Sequence, residues 1–554
     1  MSGNFSGALV LTDLNDYIQP SQACILPVPS ARAPSGPASS SADDSGTART
    51  EIRIDNTGSY HEVSLSDGSS TKLEEASITL NDCLACSGCI TSAESVLITM
   101  QSHNELYSVL TENKKALQEN RPHDIRTIVI SLSPQSRASI AAKHSILPLQ
   151  THRRLTAFFK SLGCHYVFDT AFSRDFSLVE CSREFVRRFK ESQLASGSSS
   201  GVLPMLSSAC PGWICYAEKT HGYIIPNIDT TKSPQQIMGS IVKDFFAERL
   251  GVPSNKIYHV SVMPCYDKKL EASREDFYSD VMRTRDVDCV ITTGEVELLL
   301  KEQGITDLSL VPEVPLEPVF TKASQSPDGT LALLHSTEGS SSGGYLSYVL
   351  RYAAKELFGH ILTPVDVAMG TNGVEIKPGR NLDFVEVCLN LPERGGVVLR
   401  FVAAYGFRNI QNLVRKVKPA AAGRTAGGAA RRVRGSSSQS EFHFVEVMAC
   451  PSGCINGGGQ LKPESHTSSQ LADENQAATN GVGASRSWVA HVEEVYRSVG
   501  TGEGGIQMPE ENAAVVELYR AWLGGPDSTK ARQMLHTQYR AIEKNDINPL
   551  AVKW

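Results

Sequence analysis

From Arg126 to Met448 the chain repeats one pattern, a short apolar run rich in β-branched residues followed by a segment with helical spacing. The strand-like runs are IVISL at 128–132, VLPML at 202–206, IYHVSVM at 257–263, VDCVIT at 287–292, VEVCL at 385–389, VVLRFVAAYG at 397–406 and FHFVEVM at 442–448. Helical patterns start at Ser136 and run over Gly239 to Arg249, Val296 to Glu302 and Tyr345 to Phe358. Strands alternating with helices predict parallel βαβ units, so the fold class is α/β. At 554 residues the chain is long enough to bury a large core without staples.

Low-complexity tracts interrupt this pattern. Residues 27–50 are rich in Pro, Ala and Ser, SGSSSG stands near 196–201, an Ala/Gly/Arg/Ser tract covers 420–440, and a polar stretch runs from 464 to 487. All read as flexible insertions, because closure entropy rises only about 0.6 kcal/mol per doubling of loop length. The expected division is an N-terminal region over 1–120, an α/β core over 121–463, the insertion at 464–487 and a helical C-terminal segment over 488–554. With 53 Lys and Arg against 60 Asp and Glu, the net charge is −7. That balance lacks the basic footprint of a nucleic-acid or anionic-membrane binder, and no run of about 18 apolar residues is present to span a bilayer. Met1 to Val10 carry no signal- or transit-peptide pattern. A cytosolic compartment is expected, with the nucleus as a second one, and thiols stay reduced there.

The 13 cysteines therefore read as ligands or catalysts where they cluster. Cys83, Cys86 and Cys89 stand in NDCLACSGCIT, a CxxCxxC spacing that wraps one corner of a [4Fe-4S] cube. A fourth ligand is needed, and Cys24 in QPSQACILP is the remaining candidate N-terminal to the group; taken alone it reads equally as an incidental thiol. The alternative for the group is a structural zinc site, which more often uses two separated pairs.

A second group is spread over three loops, each just after a predicted strand, where functional loops of open α/β sheets emerge. SSACPGW holds Cys210, VMPCYDKKLE holds Cys265, Lys268 and Lys269, and EVMACPSGCINGGGQ holds Cys450, Cys454, Gly457, Gly458 and Gly459. Four thiolates suffice for one cubane. Cys450 and Cys454, at i and i+4, are expected to share a face of a helical turn. The glycines permit close backbone approach and the lysines offset thiolate charge. A buried free thiol is the alternative for any one of these loops. Cys289 and Cys388 lie in apolar runs and read as core residues, while Cys164, Cys181 and Cys215 lack ligand partners.

Together the three loops resemble the cluster-binding motifs of iron-only hydrogenases. Over its whole length the chain resembles the eukaryotic cytosolic iron–sulfur protein assembly factors related to the nuclear prelamin A recognition factor, in a fungal-type form carrying low-complexity insertions. That resemblance runs from FSGALVLTDLNDYIQPSQACI at 5–25 through NDCLACSGCITSAE at 81–94 to the end of the chain. It implies a two-lobed hydrogenase-like fold with parallel sheets around a buried cluster, preceded by a small N-terminal cluster-binding region. It further implies two [4Fe-4S] clusters, one on Cys24, Cys83, Cys86 and Cys89, the other on Cys210, Cys265, Cys450 and Cys454, with Lys268, Gly457 and Gly458 in support. Hydrogenases normally carry a proton-relaying Cys immediately before the first ligand of the second group. Here that position is Ala209, whose methyl exchanges no proton.

The resemblance thus implies a non-catalytic carrier that moves [4Fe-4S] clusters from a cytosolic scaffold complex to target apo-proteins. Its partner would be the cytosolic cluster-targeting complex, docked through the C-terminal Trp554; the preceding Lys553 departs from an acidic preference at that position. Neither nucleic acid nor membrane is an expected partner. The competing expectations are an iron-only-hydrogenase-type oxidoreductase or electron-transfer protein, and a zinc-stabilised adaptor.

Overall fold

The structure, a computed structural model, describes residues 50–54, 60–64, 70–72, 97–194, 202–317, 334, 338–379, 381–417, 442–463, 474–501 and 508–542. Cys24, Cys83, Cys86, Cys89, Lys553 and Trp554 lie outside them, as do nearly all of the tract at 27–50 and the insertions at 196–201 and 420–440. Chain contacts separate a unit over Asp16–Ser95 from a larger one that includes Val96–Trp554. In the smaller unit, β1 (Thr50–Ile54), β2 (Tyr60–Ser64) and β3 (Ser70–Lys72) form an antiparallel meander, with Ile52 opposite Glu62 and Glu62 opposite Thr71. The boundary between units falls near Val96 and not at 120, because the His103–Gln118 helix buries Leu106, Val109 and Leu110 in the core of the larger unit.

That unit is built on two sheets. The first is parallel throughout, in the order β10–β7–β4–β5, with β4 (Thr127–Leu132), β5 (Tyr166–Asp169), β7 (Ile257–Met263) and β10 (Cys289–Thr292). Every residue of β7 is buried, as a strand covered on both faces requires. One face receives Leu155, Phe158, Val296 and Leu299 from flanking helices. The other receives Phe172, Phe176, Ile237 and Ile241, together with Val515, Leu518 and Trp522 of the C-terminal segment. A two-strand ribbon, β8 (Tyr278–Ser279) with β9 (Thr284–Arg285), lies between β7 and β10 in the chain.

The second sheet corrects the expectation of parallel sheets. Its order is β11 (Val374–Pro378), β12 (Phe384–Leu391), β13 (Gly396–Tyr405), β14 (Phe444–Met448) and β6 (Met205–Ser207). The β11–β12 and β12–β13 pairings are antiparallel and only β13–β14 and β14–β6 are parallel. The reason is loop length. β12 and β13 are joined by Pro392–Gly395, a single 3-10 turn closed by Gly395 at φ +92°, and a parallel crossover needs a dozen or more residues. The long Ala171–Leu194 helix serves both sheets, packing Phe176 against Tyr519 on one side and Phe185 against Phe401 on the other.

A second difference concerns the stretch expected to be an insertion over 464–487, where a helix runs over Glu474–Arg497. Its C-terminal half is amphipathic. Val492 and Tyr496 join Ala138, Ala142 and Ile455 in a buried cluster, and Trp488 Nε1 donates to Leu461 O at 3.0 Å. Docking of that face holds the helix, whose first turns propagate back into the polar sequence.

Within β7, His259 is buried between the carbonyl of Asp286, 2.9 Å from Nδ1, and Ser131 Oγ, 2.9 Å from Nε2. A carbonyl only accepts, so Nδ1 carries the proton. Burial holds the imidazole pKa down at about 4. The unfolded chain thus binds this proton near pH 6.5 and the native state only near 4, so the stability His259 contributes is complete above pH 6.5 and lost as pH falls through that window. Acidification from pH 6.5 to 4.5 should lower the unfolding free energy measured in urea more steeply for the wild type than for His259→Gln, by up to about 1.4 kcal/mol per pH unit. Parallel slopes would refute the assignment.

Candidate metal centre

All three loops of the second cysteine group leave the C-terminal ends of parallel strands. Cys210 follows β6 and Cys450 and Cys454 follow β14, its neighbour in the mixed sheet, while Cys265 follows β7 of the parallel sheet. The site thus takes ligands-in-waiting from both sheets. Cys210 and Cys450 are buried and Cys265 and Cys454 half-buried.

Cys210 is the N-cap of the Pro211–Thr220 helix, with Pro211 at the first helical position, where a missing N–H costs nothing. Its backbone N–H is held by Ser208 Oγ at 3.1 Å, and its sulfur accepts the backbone N–H of Ala449 at 3.5 Å and that of Trp213. A helix N-terminus and two amide donors favour negative charge on this sulfur. Cys265 precedes the Asp267–Ala272 helix, and the carbonyl of Pro264 before it accepts Gly459 N at 2.9 Å. The Cys265 and Cys454 loops are therefore stitched together through backbone.

Cys450 and Cys454 do not share a helical turn as expected. The chain turns through Ser452 at φ +60° and Gly453 at φ +81°, and Cys454 begins a 3-10 turn over Cys454–Asn456. The left-handed turn re-aims Cys454, and the Ser452 N–H fixes it by donating to Asp383 Oδ1 at 2.7 Å. Cys454 N donates to Ser342 Oγ at 3.1 Å.

The four thiols sense one another. Cys265 is raised by its proximity to Cys210 and Cys454, and Cys450 by proximity to all three others, in each case after the dominant effect of burial. Cys454 is pushed up to about 12, first by burial and then by Cys210. Asp267 adds negative charge beside Cys210, Cys265 and Cys450, and its own carboxyl is raised to about 6 by burial. Lys268 opposes both effects, lowering Cys210, Cys265 and Cys454 while its ammonium pairs with Glu271 at 2.6 Å. Lys269 points elsewhere, to Glu295 at 2.8 Å and Gln101 O at 2.6 Å, so only one of the two expected lysines faces the thiols. Cys215 is shifted by burial, Asp267 and Arg274 and by none of the four. Cys289 and Cys388 are core residues, fully buried as expected.

The triple glycine has a packing cause. A Cβ on Gly457 would stand 2.4 Å from Pro264 O, and one on Gly459 2.8 Å from Thr292 Cβ. Gly458 is half-buried. Sequence reasoning missed Glu338–Gly344, a Ser/Gly-rich run that looks like a linker and instead presents Ser342 to Cys454. The usable signal was its position directly before the apolar Tyr345–Phe358 helix.

Two of these features, sheets of this topology and a thiol set at their strand ends, define an iron-only-hydrogenase-like domain. Residues 126–458 match the iron only hydrogenase large subunit, C-terminal domain, and residues 490–541 the iron hydrogenase small subunit. An apo [FeFe]-hydrogenase from Chlamydomonas reinhardtii superposes with a TM-score of 0.59 at 26% identity, covering 79% of this chain and 99% of that one. The cytosolic iron-sulfur assembly component 3 of Mus musculus is 49% identical over 100% of both chains. The cytosolic Fe-S cluster assembly factor narfl of Xenopus tropicalis is also 49% identical over 100% of both. A probable factor of the same name from Dictyostelium discoideum is 45% identical over 99% of both. The chain belongs to this hydrogenase-like family of cytosolic iron–sulfur assembly components. Among the described residues no helix is long and apolar enough to cross a membrane.

Proposed function

We propose that the protein is a non-catalytic component of cytosolic iron–sulfur cluster assembly, carrying two [4Fe-4S] clusters and passing a cluster from a scaffold complex to target apo-proteins. The observation that carries this reading is the second cysteine group: four mutually interacting thiols from three loops with a buried lysine among them. Among the described residues no three His, Cys, Asp or Glu side chains stand close enough for a single ion. Four thiols drawn from three loops suit a polynuclear centre, in which each thiolate binds a separate iron. Gly457 leaves no room for a side chain between the loops, and metal binding would offset the burial that keeps these thiols protonated. Cys210, Cys265, Cys450 and Cys454 would hold this cluster, which when bound supplies a redox-active, charged link between the sheets.

Ala209 packs against the core beside the Ala171–Leu194 helix and offers no exchangeable proton next to Cys210, which supports a carrier over a hydrogen-evolving enzyme. Cys24, Cys83, Cys86 and Cys89 would hold the first, transferable cluster, with Cys24 separated from the others by the Pro-, Ala- and Ser-rich stretch. Trp554, a large rigid aromatic, would dock the targeting complex.

Cluster-loaded Cys83→Ala is expected to fail in anaerobic maturation of an apo-target while keeping the second cluster's iron. Normal maturation by that variant would remove the transfer role from this site. The likeness to hydrogenases keeps the oxidoreductase reading open to a direct check. Reconstituted wild type should evolve no hydrogen from reduced viologen, and sustained evolution would replace the carrier reading.

A further inference from the structure

β6 ends at Ser207, and beyond it the parallel ladder to β14 is continued by a hydroxyl and a sulfur. Met205 N donates to His443 O at 2.9 Å, and the bonds of a parallel pair are evenly spaced, recurring at every second residue. Two repeats further on, a continued ladder would bring the Ala209 N–H to Val447 O and the Ala449 N–H to Ala209 O. In their place, Val447 O takes the Ser208 hydroxyl and the Ala449 N–H donates to the Cys210 sulfur at 3.5 Å. The sulfur thus occupies the acceptor position that a backbone carbonyl of the next ladder step would fill.

Ser208 makes this exchange. A carbonyl only accepts, so the single Ser208 proton goes to Val447 O, and a lone pair of the same oxygen receives the Cys210 N–H at 3.1 Å. The hydroxyl closes a turn on its own chain two residues ahead and ties that turn to β14. Ser208, Cys210, Val447 and Ala449 are all buried, so loss of the hydroxyl leaves a buried donor and a buried acceptor unsatisfied. The bond from Ala449 to sulfur also joins Cys210 to the residue directly before Cys450, linking two loops of the site.

We infer that the Ala449 N–H is a hydrogen-bond donor that raises the reduction potential of the cluster on the second cysteine group, and that Ser208 is the positioning residue that holds the Cys210 sulfur against it. This rests on the cubane assignment made above. Hydrogen bonds to ligand sulfurs tune iron–sulfur potentials, because a donor stabilises the reduced cluster, with its extra negative charge, more than the oxidised one. Removing the Ser208 hydroxyl releases the turn that aims the sulfur, so the contact with the Ala449 N–H lengthens and the potential falls.

The test is an EPR-monitored redox titration of the full chain, reconstituted anaerobically, with iron and sulfide measured on each sample. The signal that disappears in Cys450→Ala identifies the second cluster. Protein grown on alanine labelled with the heavy nitrogen isotope should show, by pulsed EPR, a coupling of that nitrogen to the cluster through the N–H to sulfur bond. Ala449→Gly keeps the N–H and loses the label, which assigns the coupling. Ser208→Ala is expected to titrate at a more negative midpoint at wild-type iron content, with the coupling weakened, and Ser208→Thr, which keeps the hydroxyl, to hold both at wild-type values. A loaded Ser208→Ala with wild-type midpoint and coupling overturns the inference. If that variant does not retain its cluster, a wild type without an alanine-nitrogen coupling that vanishes in Ala449→Gly overturns it instead. Wild type lacking any signal that depends on Cys450 would refute the cubane assignment itself, a separate result.

Discussion

Cys450→Ala is expected to remove about four irons and four sulfides of the roughly eight of each that two [4Fe-4S] clusters hold, and to lower the unfolding midpoint of the protein sharply. The reasoning is geometric first. Cys450 follows β14 and interacts with all three other thiols of the group, so its loss leaves one iron of the cube without a protein thiolate. The energetic consequence is large because the ligands come from two sheets: binding energy at such a site is folding energy, about 10–16 kcal/mol on the scale of structural four-ligand zinc sites. All four thiols are raised by burial, Cys454 to about 12, so the metal-free site holds neutral thiols. Reconstitution of wild type near pH 7 should accordingly release about four protons at this site, and Cys450→Ala should release none of them. Cys388→Ala is the control, a buried thiol within β12, where iron content should stay at wild-type level. Full iron and an intact second signal in Cys450→Ala would end the ligand assignment.

The sequence carried the ligand loops further than the architecture around them. Cys210, Cys265, Cys450 and Cys454 were legible because each follows an apolar run with strand character, and local composition is what such a run records. The Ile257–Met263 strand and the Tyr345–Phe358 helix begin and end where periodicity placed them. Sheet polarity was not legible in the same way. VEVCL and VVLRFVAAYG look alike whether their neighbours run parallel or antiparallel, and only the brevity of the Pro392–Gly395 connection forces the hairpin. β5 and β11 were missed because neither is a continuous β-branched run: Val167 is the one β-branched residue of β5, and β11 carries Glu375 and Lys377 at the sheet edge. The geometry at Cys454 was illegible for another reason. An i, i+4 spacing suggests one helical face, whereas the left-handed backbone at Ser452 and Gly453 aims the two sulfurs by a turn, with Asp383 and Ser342 from distant segments fixing it. Ser342 itself was hidden in a run whose composition matches a linker. Its rigidity arises from backbone contacts between Glu338 and Gly344 that no composition reports.

Gly457→Ala should abolish stable retention of the second cluster although all four cysteines remain. The added methyl would stand 2.4 Å from Pro264 O, 3.0 Å from Pro264 C and 3.2 Å from Cys454 O, and all three are backbone atoms that no rotamer change can move. Pro264 O is also fixed by the Gly459 N–H at 2.9 Å. What must give is the spacing between the loop that carries Cys265 and the loop that carries Cys454. Overpacking of side chains costs about 1–3 kcal/mol, and a clash with backbone belongs at the upper end of that range. The same interface supplies a contrast of opposite sign. Gly294 donates its N–H to Gly459 O at 3.0 Å and lies in the first turn of the Thr293–Glu302 helix, and a methyl added there would meet nothing nearer than 3.7 Å. Gly294→Ala should therefore keep its iron and be neutral to about 1 kcal/mol more stable, since alanine favours helix over glycine. Iron retention against EDTA and thermal unfolding of the two variants side by side give the measurement. Equal retention in both would show that the separation of the Cys265 and Cys454 loops does not control the site.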